Sequence, residues 1–263
     1  MLTTRFVTGS PNWLDLGTPD LDAATAFYGG LFGWTFQSAG PDAGGYGMYQ
    51  QDGKTVAGAM TVAPEQGAPG WTLYFQSPDA EATAKAVEQG GGEVVFEPMD
   101  VFDLGRMAIF KDPGGAGFAT WQPGKNKGLD FVNDPNSLCW AELYTEDQAA
   151  GLGFYQGVFG WETSTMPLPD GTGSYTMLNP AGAGAEAMFG GIVPLAADPT
   201  ETGPSWLPYF EVRDCDATVA KAEELGGTIR MAPMDMEGVG RFAKLADPAG
   251  ARFAVMQGVQ EDG

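Results

Sequence analysis

The chain has 263 residues, 43% of them apolar and 12% aromatic, and contains no histidine. That composition excludes a disordered chain, and the missing histidines exclude histidine catalysis and histidine-ligated metals. The net charge of −21 disfavours nucleic acid and anionic membrane as partners, leaving solubility or attraction of a cationic ligand as its uses.

Residues 1–10 carry one arginine and no apolar run, so no signal peptide is expected. No stretch of 18 apolar residues occurs anywhere, so no membrane helix is expected, and the expected location is cytoplasmic. Asn12 to Gly17 alternates as a strand. Thr18-Pro19-Asp20 then opens a helix with Asp20 as its N-cap. Leu21, Ala24, Phe27, Tyr28, Leu31 and Phe32 form its apolar stripe, and Gly33 stops it. Strands follow at 34–38, 46–50 and 55–62. The order then repeats, with a strand at 71–76, a helix at 79–89 ended by Gly90-Gly91-Gly92, and strands at 93–97, 106–110 and 117–121. Asp112-Pro113-Gly114-Gly115 is a turn before the last of these.

The same text then returns. Trp13-Leu14-Asp15-Leu16, Asp20, Phe27-Tyr28 and Phe32-Gly33-Trp34 recur 127 positions later, from Trp140-Ala141-Glu142-Leu143 to Phe159-Gly160-Trp161. A second block, from Trp71 to Gly115-Ala116, recurs 135 positions later, from Trp206 to Gly250-Ala251. Self-similarity of this kind marks a duplicated domain. The change of offset places eight extra residues in the second copy, expected in the Gly/Pro/Ala-rich stretch 178–204. The expected organisation is a first domain at 1–124, a polar linker at 125–136 and a second domain at 137–260. The fold class is α+β: two tandem domains, each a pair of β-α-β-β-β modules. Cys139 and Cys215 are isolated, which argues against a disulfide framework and fits a reducing compartment.

An aspartate followed by AxxFY, the LFGW and VFGW helix ends, and a DPxGxxF turn before the last strand, all doubled, resemble the vicinal oxygen chelate superfamily. This is the glyoxalase, bleomycin resistance protein and dioxygenase group. The resemblance covers nearly the whole chain and implies that each domain curls into an open cup, with helices outside and the ligand or metal inside. Strand alternation would then turn Trp13, Asp15, Tyr74, Gln76 and Trp121 into the first cup. Trp140, Glu142, Tyr144, Tyr209, Glu211 and Met256 would face the second. The family's usual histidine positions fall on Trp13 and Trp140 and on Thr72 and Leu207. Its usual glutamate falls on Ala119 and Ala254. The fourth usual ligand lies around Gly58 to Met60, or Gly190 to Val193, which also lack donors. A transition metal needs three or four converging donors, so neither a metal nor any other cofactor is expected.

Aromatic walls with a few acids and amides suit a small flat or cationic ligand. The eleven cup residues named above are therefore the candidate ligand-binding set, and small molecules the expected partners. Against this, the aromatics could serve as core filling. Asp15, Glu142 and Glu211 are candidate acids or bases, with Tyr74 or Tyr209 as hydrogen-bond donors. Pairing of these acids with Arg106, Arg241 or a tyrosine hydroxyl is the plainer alternative. The leading reading is a metal-free small-molecule-binding protein. The rival is a metal-independent enzyme, since relatives of this two-domain type are often labelled hydroxylases, lyases or glyoxalase-like. A third is an interaction role with both cups closed. Two domains in one chain stand in for the dimer that the bleomycin resistance type needs, giving a pseudo-dimeric monomer or a homodimer.

Overall fold

The structure is a computed structural model and describes residues 1–167 and 173–259. The first repeat contains β1 (Pro11–Thr18), α1 (Leu21–Phe32), β2 (Thr35–Ser38), β3 (Gly47–Gln51), β4 (Lys54–Thr61), β5 (Gly70–Gln76), α2 (Ala80–Gln89), β6 (Glu93–Val101), β7 (Gly105–Lys111) and β8 (Gly117–Pro123). The second contains β9 (Leu138–Thr145), α3 (Gln148–Phe159), β10 (Glu162–Pro167), β11 (Ser174–Asn179), β12 (Gly190–Pro194), β13 (Ser205–Glu211), α4 (Cys215–Glu224), β14 (Thr228–Met236), β15 (Gly240–Ala246) and β16 (Arg252–Gly258). The strands form two open sheets in the orders β2-β3-β4-β1-β5-β8-β7-β6 and β10-β11-β12-β9-β13-β16-β15-β14. In every module the first and last strands are parallel. The α+β fold of paired β-α-β-β-β modules is thus the one expected from the sequence. No helix among the described residues is long and apolar enough to cross a membrane.

Each helix starts on the same signal. Asp20, Asp79, Asp147 and Asp214 lie in extended backbone, and each carboxylate accepts the N–H three residues on, satisfying a donor the helix cannot. Gly33 and Gly160 end α1 and α3 with φ of 76° and 70°, a left-handed conformation that glycine adopts without steric cost.

Two expectations need correction. The strand expected at 93–97 runs on through Pro98 to Val101. Proline lacks an N–H, but β6 lies at the end of its sheet and its pairing with β7 shifts register between Phe96 and Met99. An edge strand with such irregularities tolerates a missing donor, and β14 carries Pro233 in the same way. The eight extra residues are also not confined to 178–204. Met48 and Met177 hold the same register position opposite Gly58 and Gly191, yet stand 129 apart. Two of the eight therefore precede Met177.

By spatial compactness the chain divides across the repeats. One unit comprises Met1–Trp13, Thr72–Gly128 and Trp140–Leu207; the other comprises Leu14–Trp71, Leu129–Cys139 and Pro208–Gly263. In the first, the Trp206 indole N–H donates to the Tyr155 hydroxyl at 2.8 Å, which donates to Asp112 at 3.2 Å. In the second, Trp71 donates to Tyr28 at 3.1 Å and Tyr28 to Asp247 at 3.2 Å. The tyrosine of the AxxFY motif thus meets the aspartate of the DPxGxxF turn from the other repeat. The same aspartate accepts backbone N–H groups of its own turn, so it is both turn former and packing partner. Aromatic rings surround each chain: Tyr155 stacks on Trp161 at 4.8 Å, and Tyr28 on Trp34 at 5.7 Å.

Candidate functional site

The helix-free face of each sheet carries the polar groups. In β1, Leu14 and Leu16 are fully buried, and Asp15 between them points the other way and is half-buried. Asp15 lies in register with Gly58, and Gly58 with Met48. The Tyr46 hydroxyl donates to Asp15 Oδ1 at 2.6 Å. A Cβ at Gly58 would stand 2.0 Å from both Asp15 Oδ1 and Tyr46 Oη, so only glycine leaves space for the pair.

The second repeat builds the same device. Glu142 lies in register with Gly191, and Gly191 with Met177. The Tyr175 hydroxyl donates to Glu142 Oε1 at 3.0 Å and accepts the Trp140 indole N–H at 2.7 Å. Tyr144 donates to the other oxygen of Glu142. A Cβ at Gly191 would lie 2.2 Å from the Tyr175 ring. Burial first, and then the neighbouring Glu142 charge, hold the Tyr175 phenol well above its ordinary pKa, so it stays a donor.

These contacts decide how the family's metal fits. Three of its ligand positions carry tryptophan, threonine or leucine, and alanine. The fourth, on β4 and β12, is occupied in space by the tyrosine and the carboxylate packed over a glycine. Among the described residues no three His, Cys, Asp or Glu side chains gather as a metal site. The residues present do not fit the group, and no chemistry is derived through it.

The remaining candidates are placed as follows. Trp13, Tyr74, Trp121, Tyr144 and Tyr209 are buried, whereas Trp140, Gln76 and Met256 are half-buried. Trp121 donates to the Asn126 carbonyl at 3.0 Å and Gln76 to the Phe6 carbonyl at 3.1 Å. Tyr209 and Phe242 have ring centroids 6.4 Å apart. Glu211 is half-buried and accepts the Gly258 N–H at 3.1 Å; burial raises its pKa, against that bond and one from the Cys139 thiol. Both cysteines are held as thiols by burial, Cys215 with its pKa pushed up to about 11. Of the partners expected for the acids, tyrosine is the one found at Asp15 and Glu142. Arg106 and Arg241 pair instead with Glu81 and Asp100, and with Asp216 and Asp235, at the surface.

Tyr46, Tyr175 and their glycines are absent from the sequence-derived set. Tyr46 and Tyr175 stand 129 apart, between the 127 and 135 offsets of the two repeat blocks, so alignment at either offset passes over them. Lys244 was also missed. It pairs in register with Ala254 on the face of Phe242 and Met256 and is 1% exposed.

Paired β-α-β-β-β modules with polar groups collected on the helix-free face define a class of open-sheet α+β proteins that bind small-molecule substrates. The family model described as "Glyoxalase/Bleomycin resistance protein/Dioxygenase superfamily" matches residues 10–120 and 137–255, and the chain belongs to that superfamily. The anthracycline biosynthesis protein DauV of Streptomyces sp. (strain C5) is 41% identical over 272 residues, covering 97% of this chain and 95% of DauV. The protein described as "Putative glyoxylase CFP32" of Mycobacterium tuberculosis (strain CDC 1551 / Oshkosh) is 38% identical over 257 residues, covering 95% of each. Among solved structures, the Mn(II)-bound glyoxalase from Novosphingobium aromaticivorans superposes with a TM-score of 0.65 at 18% identity, covering 97% of this chain and 83% of that one. At that identity the likeness concerns the fold.

Proposed function

We propose that the chain binds a small aromatic or cationic compound without a metal ion, using the carboxylate–tyrosine pairs of one or both repeats. The observation that carries this reading is the duplicated pair itself. Asp15 with Tyr46, and Glu142 with Tyr175, each sit over a glycine on the helix-free face. A carboxylate held by a phenol presents acceptor oxygens of fixed direction, and neighbouring rings and methionines supply apolar contact. The similarity to anthracycline biosynthesis proteins supports a flat, polycyclic ligand. The reading places the protein in the cytoplasm.

Thermal shift with doxorubicin, an aromatic compound with a protonated amine, tests it, alongside metal analysis of the purified chain. Ligand at a hundred times its Kd stabilises the folded state by about 2.7 kcal/mol, so a rise of several degrees in Tm is expected. No shift with doxorubicin or with simpler aromatic amines would sink the binding claim. Zinc, iron or manganese retained at about one ion per repeat would sink the metal-free claim.

One observation favours the enzymatic alternative. Glu211 is a carboxyl whose pKa is raised by burial, as suits a general acid or base. Turnover of a bound aromatic compound, lost in Glu211→Gln with binding retained, would establish that reading.

A further inference from the structure

Equivalent positions of the two repeats differ in how far side chains fill the helix-free face. In the second repeat Tyr144 is buried, pairs in register with the buried Val193, and covers one oxygen of Glu142. The first repeat has Gly17 at that position, in register with Met60, with the Val62 side chain packed against it. Asp15, Tyr46 and Met48 are half-exposed, as are their equivalents Glu142, Tyr175 and Met177; the difference lies at Gly17 and Met60, half-exposed where Tyr144 and Val193 are buried. The second modules repeat the contrast. Thr72, Met107 and Ile109 are half-exposed, whereas their counterparts Leu207, Phe242 and Lys244 are buried. Two exchanges run in the opposite sense: Trp13, buried, against Trp140, half-exposed on the Tyr175 hydroxyl, and Trp121, buried, against Met256, half-exposed.

From these paired differences we infer that the ligand is taken by the first repeat, at the Asp15–Tyr46 pair. In the second repeat Tyr144 already holds one oxygen of the carboxylate, and this repeat supports the fold. The inference rests on the small-molecule reading above and narrows it to one site and one ligand class. A carboxyl group has acceptor oxygens in more than one direction, so a donor on a ligand can approach Asp15 beside Tyr46. Met48 and Met60 are unbranched thioethers that can adapt to a flat ring. The chemistry selected is an aromatic compound bearing a protonated amine.

Fluorescence and calorimetric titration of the full chain test this with two probes, doxorubicin and the uncharged 1,8-dihydroxyanthraquinone. One doxorubicin per chain is expected. Met48→Trp, which fills the first repeat, should weaken both probes at least tenfold. Met177→Trp, the same change at the equivalent position of the second repeat, should leave both within twofold. Asp15→Asn, nearly isosteric, should weaken doxorubicin about tenfold and the uncharged probe less than twofold. Melting curves establish that each variant is folded, and Asp15→Asn decides the matter should Met48→Trp fail to fold. Two doxorubicin molecules per chain, or loss in Met177→Trp with retention in Met48→Trp, overturns the assignment while the small-molecule reading stands. Equal weakening of both probes by Asp15→Asn overturns the recognition of a protonated amine by that carboxylate. No binding of either probe to the unaltered chain overturns the small-molecule reading and the assignment with it.

Discussion

Tyr175 joins three groups through one oxygen: it accepts from Trp140, donates to Glu142 and fills the space over Gly191. Tyr175→Phe keeps the ring but leaves an indole N–H and a carboxylate oxygen each short of a partner. Leaving buried polar groups unsatisfied costs about 1–3 kcal/mol, and urea denaturation is expected to show a loss in that range. Asp247 gives a pH-dependent prediction. Burial raises its pKa above the ordinary 3.8, against its bonds from Tyr28 and the turn N–H groups. A raised folded-state value favours the protonated folded form. Its stabilising contribution is therefore complete below 3.8 and is lost as pH rises through the raised value. The advantage of the native chain over Asp247→Asn should accordingly be largest near pH 4 and shrink towards pH 8. A constant or growing difference in urea titrations across that range would contradict it. At this scale the sequence makes Asp15, Glu142 and Trp140 legible, because a strand's period of two and a repeat offset of 127 both mark them. It does not show Tyr46, which immediately precedes β3, or Tyr175 on β11, which meet the acids only through tertiary packing.

The elements follow from short-range signals. An aspartate with an alanine three residues on starts all four helices, and removing one such cap costs about 1 kcal/mol. Asp147→Ala should lower thermal stability by that amount, seen as a fall of a few degrees in Tm. Register between elements is a different kind of constraint. Gly58 on β4 is read from sequence only as strand or turn, but Asp15 on β1 and Tyr46, just before β3, both meet at it. Gly58→Ala places a methyl 2.0 Å from both oxygens, so the pair must move. Overpacking of this kind costs about 1–3 kcal/mol. A variant as stable as the native chain, with unchanged tyrosine fluorescence, would show that the pair is not seated on the glycine. The edge strands β6 and β14 make the complementary point. Their prolines read as breaks, and only their place at the sheet ends explains why the strands continue.

For the whole molecule, the compact units do not follow the repeats. Tyr28 and Phe32 of the first repeat pack with Phe253, and Phe32 with Phe210, in the second; Tyr155 and Phe159 of the second pack with Phe75 and Phe118 of the first. Residues 1–124 expressed alone would therefore expose α1 without its partners. The expected result is self-association, with Asp112 of one copy meeting Tyr28 of another, measured by light scattering on a sizing column. A monomer that melts cooperatively would contradict the packing. The sequence by itself determined the module order, the duplication, the helix starts and the lack of ligands at the family's metal positions. Each of these is local in the chain or periodic along it. Tertiary structure alone decided which tyrosine meets which carboxylate, which glycines make room for them, and which helix packs on which module. Apart from Tyr144 and Glu142, which are neighbours on β9, the tyrosine–carboxylate pairs join residues from 31 to 219 positions apart, and no one-dimensional period encodes a distance between strands or across a helix–sheet interface.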